Sequence, residues 1–131
     1  MIIDNKLLDE LTEQAKASPR LRCNLDLRNT PEDNSQRMLN ALEPGTVMPI
    51  HRHLASSETV ALLRGKICWH FYDDAGKETK SIVLDANGDV HCINVEKARW
   101  HSLECLESGS VILECKDGKY VGLKEEEVLE L

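Results

Sequence analysis

The chain has 131 residues, 16 Lys plus Arg against 23 Asp plus Glu, a formal charge of −7, and five aromatic side chains in all. That length fits one domain. An acidic chain with so few aromatics offers neither the basic footprint nor the stacking platform that nucleic acid requires. The longest aliphatic run, Val60-Ala61-Leu62-Leu63, falls far below the ~20 apolar residues of a membrane span, and Met1-Ile2-Ile3-Asp4 does not open a secretory signal. A cytoplasmic location is expected. Five cysteines, Cys23, Cys68, Cys92, Cys105 and Cys115, without CxxC spacing read as reduced thiols and mostly as small core residues.

Asp4 is placed to cap a helix whose apolar face is Leu7, Leu8, Leu11 and Ala15. Ser18-Pro19 should end it, because proline disfavours helix in the residue before it. From Leu21 to Arg28 apolar and polar residues alternate, the period-two pattern of a half-buried strand. Further short strands are expected at 37–43, 47–53, 58–64, 67–72, 80–84, 90–95, 101–106 and 110–116, separated by turn residues such as Pro44-Gly45, Asn87-Gly88-Asp89 and Ser108-Gly109. Many short strands with frequent turns define a barrel or sandwich of antiparallel strands. The division expected is 1–19 as a helical segment packed on the β structure, 20–118 as the β domain, and 119–131 as an acidic tail, in which Lys124 to Leu131 could form a short helix but reads rather as a solvated tail.

The chemistry concentrates in Gly45 to Gly65. His51 and His53 stand two apart on an expected strand, so both imidazoles share a face. Pairing of that strand with 58–64 would bring the Glu58 carboxylate beside them, on the inward face with Val60 and Leu62. His101, with Leu103 and Cys105 on its face of a later strand, is the fourth candidate. Three imidazoles and one carboxylate suit one borderline divalent ion such as Zn, Fe, Ni or Mn, with positions left open for water or substrate. Because a ligating imidazole must be neutral, the metal should be lost below roughly pH 6.

Gly45, five residues, His51-Arg52-His53, four residues, Glu58, six residues and Gly65 match the first motif of the cupin superfamily, which this chain resembles. Around His101 the second motif is partial: Glu96 and Ala98 stand where the family usually has proline and glycine, and Cys105 where many members carry asparagine. The resemblance implies a single jelly-roll antiparallel β-barrel, mostly β with a short N-terminal helix, holding a metal inside. More narrowly, Ser18-Pro19-Arg20-Leu21-Arg22, the stretch Gln36 to Gly45, Leu63-Arg64-Gly65 and Trp100-His101 resemble the WbuC group of cupin metalloproteins, associated with bacterial surface-polysaccharide clusters of the O-antigen type.

Six of the seven arginines lie in the first half. Arg20, Arg37 and Arg64 are candidates to bind an anionic ligand, such as the phosphates of a nucleotide sugar, through bidentate contacts, or else to form structural ion pairs. His91 alternates with Ile93 and Val95 and is a candidate acid–base group near the metal. Trp69, Phe71 and Tyr72 put aromatics on both faces of one strand; cupins pair through such a face, so a homodimer is expected. The leading functional expectation is a metal-dependent enzyme, with the ion as Lewis acid, acting on a sugar-related molecule. An Fe(II) oxygenase and a non-enzymatic metal- or ligand-binding module are the alternatives.

Overall fold

A computed structural model of the chain describes residues 1–129. Helix α1, Asn5–Ala17, is capped by Asp4, whose side chain accepts from the Leu7 amide at 3.0 Å, and it ends at Ser18 as the following proline requires. Eight strands follow: β1 Arg22–Asp26, β2 Ser35–Leu42, β3 Glu58–Arg64, β4 Lys66–Tyr72, β5 Glu78–Asp85, β6 Cys92–Val95, β7 Trp100–Cys105 and β8 Ser110–Asp117. All pairings are antiparallel, in a five-stranded sheet of order β1-β2-β8-β3-β6 and a three-stranded sheet of order β5-β4-β7.

The two sheets pack face to face, and no strand pairing among the described residues joins them into the expected closed barrel. The segment expected as a strand at 47–53 makes only isolated bridges at His51, to His101 and Val128. Between the sheets lies an apolar core that includes Leu42, Val60, Leu62, Trp69, Phe71, Val95, Leu103 and Ile112. Period-two alternation explains it: Val60 and Leu62 point inward while Thr59 and Leu63 are exposed. The outer face of the five-stranded sheet is covered by α1, whose Leu8, Leu11 and Ala15 pack on Leu39, Ala41 and Val111.

Gly65 turns β3 into β4 at φ +92°, and a Cβ there would stand 2.2 Å from Ser110 Oγ, so only glycine fits. Trp69 and Phe71 are both in the core, leaving Tyr72 and His70, which contacts Glu78, half-buried on the outer face. The aromatic outer surface expected of a pairing face is therefore small. Of the cysteines, Cys68 and Cys105 are buried, Cys23 and Cys115 half-buried, and Cys92 exposed.

The C-terminal stretch differs most from expectation. Instead of a solvated tail, a 3-10 turn at Glu125–Glu127 straps the chain against residues 50–54. Arg52 N donates to Glu127 O at 2.9 Å, and Leu129 N to Ile50 O at 2.9 Å. Glu127 is buried, its carboxylate accepting from the amides of Leu54 at 2.8 Å and Lys124 at 3.0 Å. Charge alone made this stretch look solvated; two backbone donors satisfy the buried carboxylate. Glu130 and Leu131 lie outside the described residues.

Candidate metal centre

Glu58 opens β3 and His101 is the second residue of β7, so the carboxylate and the imidazole face each other across the two sheets, Oε1 to Nε2 at 2.9 Å. His51 is fastened beside His101 by reciprocal backbone bonds, His51 N to His101 O at 3.0 Å and His101 N to His51 O at 2.8 Å. The strap holds its other side, through the bridge to Val128. The His53 carbonyl accepts from Ala98 N at 2.8 Å, and Ala98 adopts the left-handed φ of +65° that glycine would favour at that point of the second motif. The histidine segment thus pairs with β7 and the strap rather than with β3, and Glu58 arrives from the opposite sheet.

The ligand atoms of His51, His53 and His101 all lie within 4.8 Å of one another. His51 Nδ1 meets the Pro49 carbonyl at 2.9 Å and His101 Nδ1 the Arg99 carbonyl at 2.8 Å. A carbonyl only accepts, so each Nδ1 carries a hydrogen, and in the neutral ring each Nε2 then presents its lone pair to the centre. His101 Nε2 is fully buried and has no hydrogen-bond partner: its 2.9 Å approach to Glu58 lacks the alignment of a bond. A lone pair and a carboxylate oxygen brought together away from water call for a cation between them.

The electrostatics agree. Burial first, and the neighbouring His101 second, lower His51 to about 4; burial and then Lys116 lower His53 to about 4. Both rings are neutral at pH 7, as metal ligands must be. Burial by itself would raise the Glu58 carboxyl, but His101, Lys116 and His53, the histidines through the charge they carry in acid, outweigh it and hold the group at about 2, ionised at pH 7. The three histidines can hold a metal ion, and Glu58 faces the same point.

A cavity of about 200 Å³ opens on this group, walled by Met48, Ser102 and Trp69, whose indole stacks on the His101 ring at 5.2 Å and 13°. It is also lined by Arg20, Arg22, Asn40, Glu114, Lys116 and Tyr120. Glu114 and Lys116 were missed by sequence reasoning, although they alternate with the core residue Ile112 on β8 and so must point inward. Burial, then the Glu58 charge, raises Glu114 to about 7.

The other sequence candidates scatter. Arg20 lines the metal cavity. Arg37 lies further out, bonded to Asp33 at 3.1 Å and to the Ser35 and Leu27 carbonyls. Arg64 ties α1 to the β8 turn through Asp9, Thr12 and Gly109 and does not line the cavity. His91 is exposed and lies outside the site. The reason is strand direction: β6 runs against β3 with Val95 opposite Glu58, while the His91 carbonyl accepts from Leu62 at the far end. Cys105 points inward, but it bonds the Leu42 and Glu107 carbonyls down the strand from the metal group.

The fold is cupin-like, and its three clustered histidines could hold a metal ion. KdgF from a Halomonas species aligns at TM-score 0.63 and 16% identity over 79% of this chain and 84% of its own. The capsular polysaccharide assembling protein CapF from Staphylococcus aureus aligns at 0.67 and 18%, over 79% of this chain and 30% of its own. Bacillus subtilis oxalate decarboxylase, which has Mn(II) centres, aligns at 0.60 and 19%, over 84% and 28%. The chain therefore spans less than a third of the latter two proteins. No curated protein sequence matches it. By its family model, matched over residues 3–84, the chain belongs to the domain-of-unknown-function family DUF6016. No helix among the described residues is long and apolar enough to cross a membrane.

Proposed function

We propose that this chain is a metal-dependent cupin that acts on a small, sugar-related anion in the assembly of a bacterial surface polysaccharide. His51, His53, Glu58 and His101 hold one Zn, Fe, Ni or Mn ion. The observation that carries the metal is the unpartnered His101 Nε2 aimed at the Glu58 carboxylate. When bound, the ion supplies Lewis acidity to a ligand carbonyl or hydroxyl. The anion preference is supported by Arg20 and Lys116, which line the cavity and have no carboxylate within 4.0 Å among the described residues. Glu114, at about 7, takes the acid–base role expected of His91, because it stands in the cavity and exchanges a proton near neutral pH. The polysaccharide context draws on the WbuC resemblance and on the likeness to CapF.

Elemental analysis of the purified protein, before and after incubation with each of the four ions, tests the reading. About one equivalent of tightly held metal is expected; no retained metal under any of these conditions overturns it. Oxygen uptake by the Fe(II) form would move the chemistry to the oxygenase class.

A further inference from the structure

The five-stranded sheet is wider than the three-stranded sheet facing it, and the apolar core between them extends only as far as Leu42 on β2 and Ile112 on β8. Beyond that boundary the inner face turns polar. Register places Asn24 beside Asn40, Asp26 beside Met38, and Met38 beside Glu114. A second cavity of about 240 Å³ lies on this face and shares Asn24, Glu114, Lys116 and Tyr120 with the metal cavity, so the two form one trough. On the metal-cavity side of that shared border, Asn40 is only 4% exposed, and its Oδ1 has no hydrogen-bond partner. A buried amide oxygen with free lone pairs can accept from a ligand hydroxyl.

The charges at the far end are already matched. Arg28 is clamped on both oxygens of Asp26 at 2.7 to 3.0 Å and stacks on Tyr120, and Arg37 is engaged by Asp33 and two carbonyls. Guanidiniums so occupied do not recruit a phosphate. Amides, a carboxyl and an exposed aromatic ring instead suit hydroxyl groups on a carbon chain or ring.

We propose that this distal cavity is a second ligand compartment, continuous with the metal centre, and that it takes the polyhydroxylated remainder of a ligand whose acidic end lies at the metal. The inference rests on the reading of the histidine group as a metal centre that binds an oxygen anion. Glycolate and gluconate test it, because they share a carboxylate with an adjacent hydroxyl and differ in the hydroxylated chain that follows. On the full chain loaded with Co(II), followed by its visible spectrum, gluconate should bind roughly tenfold more tightly than glycolate. Gln36→Ala and, to fill the space, Met38→Trp, both at positions that line the distal cavity and not the metal cavity, should each erase most of that gain while leaving glycolate affinity and metal content unchanged. Gluconate binding no tighter than glycolate to metal-loaded protein, or a gain that survives both variants, overturns the compartment. Metal content measured on the same samples separates this from failure of the metal reading, which would appear as protein that never retains Co(II).

Discussion

The trough has two ends built on different principles. At the metal end, side chains from both sheets converge, and the backbone dictates their aim: carbonyls of Pro49 and Arg99 set the His51 and His101 tautomers, and His51 is bridged on two sides. At the distal end a single sheet supplies Gln36 and Met38 from β2, with Asn24, Glu114 and Lys116 on the border shared with the metal cavity. The first end is a preorganised centre in which losing one group should be felt at once. The second is an adaptable surface whose members should matter only when a ligand is present.

His101→Ala tests the contrast most severely. It removes an imidazole that is 1% exposed and stands against both the His51 ring, 4.3 Å away between centroids, and the Glu58 carboxylate. Loss of metal should exceed the ~10–100-fold that removal of an outer hydrogen-bond partner costs. Since the backbone bonds to His51 do not need the ring, the fold should persist by circular dichroism. An alanine variant that keeps one equivalent of metal would show that the centre lies elsewhere.

Glu127→Ala asks how far the preorganisation extends. Its carboxylate answers two backbone amides, Leu54 and Lys124, beside the segment that carries His51 and His53. Stranding those amides should cost about 1–3 kcal/mol in chemical denaturation and weaken metal roughly tenfold, while the glycolate-to-gluconate ratio stays put. A changed ratio with intact metal binding would mean that the strap serves the distal end instead.

The two ends were also unequally legible. Gly45, His51, His53, Glu58 and Gly65 lie within 21 residues, so local spacing displays them. His101 was legible by alternation with Leu103. The distal face depends on register between β1, β2 and β8, which joins Asp26 to Met38 and Met38 to Glu114 across long loops; nothing local marks it. The same limit explains His91, whose alternation was read correctly but whose position along the sandwich depends on how β6 lies against β3. It also explains the strap, in which an acidic composition concealed a buried, hydrogen-bonded Glu127.

The smallest effect is the most diagnostic, because the histidine group and Glu114, which borders both cavities, respond to pH with opposite signs. In the metal-free protein His51 and His53 sit at about 4 against 6.5 when unfolded, so below 6.5 the unfolded chain binds more protons and stability falls as pH falls. Glu58, at about 2 against 4.5, adds to that loss below 4.5. Glu114, at about 7 against 4.5, works the other way: between 4.5 and 7 the folded state binds the extra proton, so its contribution is lost as pH rises through 7. Denaturant midpoints of the metal-free wild type should therefore peak near pH 6.5. Glu114→Gln should keep and steepen the acid limb, where one opposing proton no longer offsets two, and should abolish the decline above 6.5, leaving a plateau. A variant that still declines above 6.5 would place the raised carboxyl elsewhere. In metal-loaded protein the histidine values also move the onset of proton competition from the roughly pH 6 expected of free imidazoles down towards pH 4, so retention of metal at pH 5 separates the buried cluster from an exposed one.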